Sequence, residues 1–331
     1  MPITSVSKDP EALTMTVTAE FPVPVQRLWD AYADPRQLEK FWGPVEWPAT
    51  FTRHDFAVGG RSDYYMTGPD GRGPLAYWVF LSVDPGKGFE VEDGFTPSED
   101  TEHAGVPPMR MVFTFDATES GSRVSTVTHF ESTEALEMVL AMGIEEGMTS
   151  AMSQMDAVLA DLASYSASIA TAAQILSDTQ IRVSRVIRGT TDQVWEAHHN
   201  PELMKRWLLG PDGWEMTECV IGTEVGSSYK YWWKPTTSDV PPEMAEGFGF
   251  DGELVESVPG VREVTTEHMI GTDYPPAINE LTLTPVEGGT LLSLVITYVN
   301  SEVRDIVLAT GMTDGMETSY QRLEREVFAT V

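Results

Sequence analysis

The strongest constraint on how this chain can fold is that most of it is written twice. When FPVPVQRLWDAYADPRQLEKFWGP is set beside RGTTDQVWEAHHNPELMKRWLLGP, Trp29 matches Trp195, Ala31 matches Ala197, and Asp34-Pro35 matches Asn200-Pro201, all 166 residues apart. One extra residue in the second copy moves the offset to 167. It then runs unbroken through Pro44 and Pro211, Trp47 and Trp214, Thr50 and Thr217, Val58 and Val225, and Gly59 and Gly226. Chance does not hold register in that way. Downstream the offset is 169 at Ser132 and Ser301 and 168 at the glycine pairs Gly143/Gly147 and Gly311/Gly315, a drift that insertions confined to loops would cause. A chain duplicated on this scale builds one unit twice, and 331 residues suffice for two ordinary domains.

The two copies share an order of elements. A short alternating strand, Thr14 to Phe21 or Ile181 to Arg188, leads into a pair of short helices. Thr190 and Gln193 form a capping box in the second copy, and Pro24 suits a first helical position in the first. Asp34-Pro35 and Asn200-Pro201 cap and start the next helix. From there to about residue 131, and again to about 299, strands alternate with turn signals such as GPDG (68–71), DPGKG (84–88) and PVEGG (285–289), which predicts antiparallel hairpins. A long helix closes each copy. Its apolar positions are Ile144, Met148, Met152, Met155, Leu159 and Leu162 in the first, and Met312, Met316, Tyr320, Leu323 and Val327 in the second. Each closing segment carries two glycines four apart, and a glycine inside a helix costs about 1 kcal/mol relative to alanine. The pair therefore predicts close approach to a neighbour or room left at a cavity mouth.

These elements set an α+β fold of two domains, 10–162 and 178–331. The alanine- and serine-rich stretch 163–177 is read as a linker or as an extension of the first long helix.

Charge and composition exclude several function classes. Against 21 Lys and Arg stand 51 Asp and Glu, a net charge of −30, which repels nucleic-acid phosphate and anionic lipid. One cysteine, Cys219, can make neither an intramolecular disulfide nor a multi-thiolate metal site, so a reducing compartment is expected. MPITSVSKDPEALTM has no apolar signal core and no stretch is long enough to span a bilayer, so a cytoplasmic protein without membrane insertion is expected. The six histidines fall in no HExxH or Cys/His pattern, and His198 and His199, adjacent on a helix, are not expected to point the same way; no metal is expected. GFGFDG (247–252) precedes the strand-like ELVESV rather than a helix, so it lacks the helix N-terminus that holds a pyrophosphate. No cofactor is expected, and no catalytic set can be assembled from Arg61, Asp63, His129, Asp251, His268, Tyr229 and Tyr298.

The segments DPRQLEKFWGP, VGGRSDYYMTGPDG, FESTEALEMVLAMGIEEGM and GMTDGMETSYQRLE, with the second copies NPELMKRWLLGP and EVGSSYKYWW, resemble the helix-grip superfamily. That superfamily includes START lipid-transfer domains, birch-pollen-allergen-like proteins and polyketide aromatase/cyclases. The branch it is most similar to holds the bacterial domains related to the C-terminal part of the heat-shock-protein ATPase activator. The resemblance implies that each domain is a curved antiparallel sheet wrapped around a long C-terminal helix, with two short helices after the first strand. It also implies an apolar cavity beneath the long helix, used for lipids, hormones or polyketide-like molecules; tandem members serve actinobacterial polyketide and enediyne pathways.

Strand alternation puts Ser62, Tyr64 and Met66 on one face, and Tyr229, Tyr231 and Trp233 on the matching face of the second copy. In the family that face looks into the cavity. Methionine, soft and adaptable, clusters at Met138, Met142, Met148, Met152 and Met155 and again at Met312 and Met316, as suits a wall for irregular apolar shapes. His129 and Tyr298 lie at matching positions on the last strand. The expected ligand-binding set is Trp42, Tyr64, Met66, Trp78, Phe113, His129, Met142, Met148 and Met152 in the first copy. In the second it is Tyr229, Tyr231, Trp233, Phe248, His268, Tyr298, Met312, Met316 and Tyr320. The function expected is non-catalytic binding of a hydrophobic small molecule, an elongated polyketide or polyene or a lipid, in biosynthesis or self-resistance. The alternatives are a polyketide aromatase/cyclase and a co-chaperone-like protein-interaction module; no protein partner is specified.

Overall fold

The computed structural model describes residues 3–96, 106–161, 169–210, 213–238, 240 and 245–329, and the chain divides into two units, Met1–Ser164 and Tyr165–Val331. In the first unit the order is β1 (Ile3–Asp9), β2 (Thr14–Phe21), α1 (Val25–Ala33), α2 (Pro35–Leu38), β3 (Ala49–His54), β4 (Arg61–Gly68), β5 (Gly71–Asp84) and β6 (Gly88–Phe95). Then come β7 (Met109–Thr118), β8 (Gly121–His129), α3 (Thr133–Ala141) and α4 (Ile144–Ala160). The strands form one eight-stranded antiparallel sheet in the order β1-β2-β8-β7-β6-β5-β4-β3.

Period-two burial fixes which side of this sheet is the core. In β2, Met15, Val17, Ala19 and Phe21 are buried while Thr14, Thr16, Thr18 and Glu20 are not; in β7, Met109, Met111, Phe113 and Phe115 point inward between exposed Arg110, Thr114 and Asp116. Helix α1 lays Leu28, Trp29 and Tyr32 on that face, and α4 adds Met148, Met152, Met155 and Leu159. The result is a continuous aromatic core in which Trp29 and Tyr32 meet Phe115 edge-on at 5.3 Å, and Phe89 stacks on Phe113 at 4.4 Å.

The second unit repeats the plan with β9 (Ala172–Ile175), β10 (Gln180–Ile187), α5 (Thr191–His199), α6 (Pro201–Trp207), β11 (Trp214–Val220), β12 (Ser228–Pro235), β13 (Phe248–Val258) and β14 (Arg262–Met269). It ends with β15 (Ala277–Val286), β16 (Gly289–Thr297), α7 (Ser301–Ala309) and α8 (Met312–Leu323), which runs into a π-helical turn at Glu324–Phe328. Its sheet order, β11-β12-β13-β14-β15-β16-β10-β9, corresponds strand for strand to the first. The packing differs. Among the described residues the buried apolar side chains fall into three separate clusters, around Trp207 and Tyr320, around Ile181 and Tyr298, and around Met216 and Trp233.

The two tandem α+β domains agree with the fold expected from sequence, and the differences are local. Each sheet has one more strand than expected: β1 lies ahead of residue 10, and β9 lies within the stretch read as linker or helix extension. Both are short, mostly exposed edge strands whose pairing with β2 and β10 leaves no apolar alternation to read. The two short helices consequently follow the second strand of each sheet. The closing helix is two helices in each copy, broken where Gly143 (φ +85°) and Gly311 (φ +77°) adopt the left-handed conformation and cap α4 and α8. Pro24 is the N-cap of α1 rather than its first residue. The capping box of Thr190 with Gln193 forms, and the caps before α3 and α7 are Ser132 and Asn300, 168 apart like the glycines, so Ser132 aligns with Asn300 rather than Ser301. Leu162 lies outside the described residues.

Candidate functional site

Under the start of α4 the first sheet leaves a cavity of about 270 Å³. Its walls come from the segment after α2 (Trp42, Gly43, Pro44), from β4 (Tyr64, Met66), from β6, β7 and the residues flanking them (Asp93, Phe95, Val106, Met109, Met111), and from the joint between α3 and α4 (Val139, Met142, Gly143, Ile144, Gly147, Met148, Ala151). Met142 is 44% exposed while lining the cavity, which places the mouth at that joint. A Cβ added at Gly147 would meet no atom within 4 Å, so this glycine leaves open space at the wall rather than permitting a close contact.

One carboxyl interrupts this apolar lining. β6 points Phe89, Val91 and Asp93 inward, so Asp93 stands where the alternation calls for an apolar residue. Its Oδ1 accepts from Trp78 Nε1 at 2.8 Å and from Tyr64 Oη at 3.1 Å, and both protein donors converge on that one oxygen. Burial raises its pKa to about 7, only partly offset by the hydrogen bonds from Trp78 and Tyr64. Burial and the neighbouring carboxylate hold the Tyr64 phenol well above its usual value, so it stays neutral and donates. The Trp42 indole packs edge-on against Trp78 at 4.7 Å.

The second unit has a pocket in the matching place, smaller and polar. About 90 Å³ is bordered by His198, His199, Ile221, Gly222, Tyr229, Tyr231, Leu254, Glu263, Thr265 and Glu267. His199 Nε2 lies 2.6 Å from Glu263; burial works against the charged ring, but the hydrogen bond and charge of Glu263 outweigh it and raise its pKa. Burial lowers His198 to about 4, so this ring is neutral, and its Nδ1 donates to the Val194 carbonyl at 2.7 Å. Glu267 is raised by burial, with Asn279 pulling the other way.

Strand register aligns the two sites. Asp93 pairs with Trp78 and stands two residues beyond Val91, which pairs with Met111, then Thr128, then Met15 across the sheet. Glu267 stands two residues beyond Thr265, which pairs with Asn279, then Ile296, then Ile181, and Ile181 is the counterpart of Met15 at the offset of 166. Both copies therefore place an inward carboxyl at one position of the sheet.

A model of the family described as Activator of Hsp90 ATPase homolog 1-like protein matches residues 22–160 and again 188–327. The chain belongs to that family. Among solved structures the chain is similar to a protein from Mycobacterium smegmatis, 46% identical over 48% of this chain and 97% of its own, with a TM-score of 0.44. A protein from Arthrobacter aurescens is 41% identical over 48% of this chain and 93% of its own, with a TM-score of 0.46. DynU16, a protein in the dynemicin biosynthetic locus, is 14% identical over 96% of this chain and 99% of its own, with a TM-score of 0.34. No curated protein matches the chain.

In this Activator of Hsp90 ATPase homolog 1-like chain the residues singled out from sequence are only partly gathered. Trp42, Tyr64, Met66, Met142 and Met148 line the first cavity, whereas Trp78, Phe113 and Met152 are core residues behind it, at most 1% exposed. His129 does not face the cavity. It shares the outward phase of β8 with Arg123, Ser125 and Val127 and lies beside Arg110 and Glu90. Tyr229 and Tyr231 border the second pocket, their rings 5.0 Å apart. Trp233 and Phe248 stack on each other at 5.2 Å in one cluster. Tyr298 packs with Met312 and Met316 in another, and Tyr320 stacks on Trp207 at 5.7 Å in a third. His268 is on the outer face, bonded to Asp251 and the Thr272 carbonyl at 3.1 and 3.0 Å. His198 and His199, expected to diverge, both border the second pocket: their Nδ1 atoms bond to carbonyls four residues back, Val194 and Trp195, and the rings flank it.

The carboxyls Asp93, Glu263 and Glu267 were missed. The signal was the alternation F-x-V-x-D in β6 and E-x-T-x-E in β14, legible only once the inward phase is known. Burial pushes the Cys219 thiol up to about 11, which removes it as a nucleophile at neutral pH. Among the described residues no three His, Cys, Asp or Glu side chains are grouped to hold a metal ion, and no helix is long and apolar enough to cross a membrane.

Proposed function

We propose that this protein binds a hydrophobic small molecule, non-covalently, in the cavity of its first domain. The observation that carries the reading is the lining itself. Methionines, aromatic rings and small residues surround about 270 Å³ with one convergent polar group at the floor, close to the lower end of the roughly 300–1,000 Å³ typical of small-molecule sites. Met66, Met109, Met111 and Met148 suit irregular apolar shapes. A polyketide or polyene, in biosynthesis or self-resistance, fits as a molecule inserting one ring or chain segment past Met142 rather than one enclosed whole. The test is Gly147→Leu, which fills the mouth without meeting any neighbour at Cβ. With a fluorescent apolar probe the variant should lose at least about tenfold in affinity at a Tm no lower than the parent's, since replacing a helical glycine favours the helix, and unchanged affinity would overturn the reading.

One observation favours a second reading, an aromatase/cyclase: a carboxyl with a pKa near 7 at the floor of an apolar cavity is poised for proton transfer. A change in product in a reconstituted polyketide synthase that depends on Asp93 would replace the binding role with a catalytic one.

A further inference from the structure

The first cavity has a polarity that its apolar walls do not require. Among the described residues Asp93 is its sole charged lining residue, and none of those lining it is a lysine, arginine or histidine. Both hydrogen bonds of Asp93 go to Oδ1, while among the described residues Oδ2 has no donor, and Asp93 borders the cavity space. Trp42, Tyr64 and Phe95 supply aromatic rings to the lining of the same cavity. A carboxylate held away from water is costly when unpaired and is stabilised by an opposite charge, and aromatic faces attract cations. A carboxylate-bearing ligand such as a fatty acid would bring a second negative charge to the same oxygen. The chain's charge of −30 raises the local concentration of cations further.

We propose that this cavity selects apolar molecules bearing a protonated amine, with Asp93 Oδ2 as the specificity-determining acceptor and Trp42 and Tyr64 flanking the ammonium. This rests on the binding role proposed above and narrows its ligand class. An alkylammonium, like that of lysine, stays charged through neutral pH. Tyr64 is the one other titratable group among the described lining residues, and its raised pKa keeps it neutral there. Asp93 holds its proton up to about pH 7, so an entering ammonium displaces that proton. Amine affinity then falls about tenfold per pH unit below 7 and is level above it.

Three compact probes on one apolar body separate the possibilities: aminoadamantane, adamantanol and adamantane carboxylate, titrated calorimetrically into the full chain, its Asp93→Asn variant and its Gly147→Leu variant. At pH 8 the amine should bind at least about tenfold tighter than the alcohol, with the carboxylate weakest, and Gly147→Leu should weaken all three. Asp93→Asn, near-isosteric and still able to accept from Trp78 and Tyr64, should bring amine and alcohol within about twofold and abolish the loss of amine affinity between pH 7 and 5. If all three probes bind alike and Gly147→Leu weakens them, the binding role stands and the selectivity is wrong. An amine preference that survives Asp93→Asn would trace to the acidic surface and would also sink it. Probes that fail to bind, or that ignore Gly147→Leu, would overturn the binding role itself. Should Asp93→Asn fold poorly by circular dichroism, the wild-type pH profile decides: an amine affinity flat from pH 5 to 8 rules out Asp93 as the acceptor.

Discussion

A single inward carboxyl, Asp93, shows how one residue can work against stability. Its folded pKa of about 7 lies above the ordinary aspartate value, so between about pH 4 and 7 the folded state holds a proton that the unfolded chain has released. Stability therefore falls as pH rises through that window, by up to about 1.4 kcal/mol per unit of pKa difference. Asp93→Asn removes the titration while keeping an acceptor for Trp78 and Tyr64. Its Tm relative to the parent should climb from pH 4 to 7 and then level off; a difference that is constant with pH would mean Asp93 is already ionised in the fold. The two glycines of the first pair also separate at this scale. Gly143 at φ +85° resists a side chain, so Gly143→Ala should cost about 1–2 kcal/mol. Gly147 is helical with open space at Cβ, so Gly147→Ala should add about 0.5–1 kcal/mol. Thermal melts of the two variants should move in opposite directions.

At the level of elements, the two closing helices are held by different forces. Helix α4 is seated by methionines, and neighbouring turns do different jobs: Met152, 1% exposed, touches the Tyr32 hydroxyl with its sulfur at 4.0 Å, while Met148 borders the cavity. Met152→Ala should cost about 2–4 kcal/mol with little change in probe affinity; Met148→Ala should cost less, because its side chain already borders empty space, and should change affinity. Helix α8 is seated by charge. Arg185 on β10, 5% exposed at its side chain, reaches Glu317 at 3.0 Å and Glu324 at 2.9 Å, and Thr171 adds two hydrogen bonds to Glu317. Burial alone would raise the Glu317 pKa, but Arg185 and Thr171 outweigh it and bring it to about 2. The stability this contributes is present above the unfolded glutamate pKa and is lost as pH falls toward 2. Glu317→Gln should thus cost about 1.5–3 kcal/mol at pH 7 and almost nothing near pH 2 in chemical denaturation.

Across the whole molecule, duplication has kept one sheet order and changed what lies beneath it. The first copy has one continuous core and an apolar cavity with one acid; the second has divided clusters and a polar pocket of about 90 Å³, room for a few waters rather than an apolar body. Native mass spectrometry with an apolar probe should accordingly show one bound molecule per chain, and Gly147→Leu should remove it. Two equivalent sites per chain would mean that the second pocket opens to ligands in solution.

The sequence by itself determined the duplication, the antiparallel strands, the caps at Asp34, Thr190 and Asn200 and the paired glycines, because each is set by local backbone chemistry or by register that repeats along the chain. Period two in β4 put Tyr64 and Met66 on one face and the sequence bunched Met142 with Met148, both short-range patterns, while their placement with Trp42 at a cavity came from the family resemblance. Only the tertiary structure decided that His129 and His268 turn outward, that Trp78, Phe113 and Met152 fill core, and that Asp93 and Glu267 turn in. Which face of a strand is buried depends on its partners across the sheet and on the helix laid over it. β6 carries acids on both phases and β14 carries both of its acids on one phase, opposite Arg262 and His268; their strand partners are adjacent hairpin neighbours, but the helices that cover them, α1 and α4 for β6 and α5 for β14, lie far away in the chain.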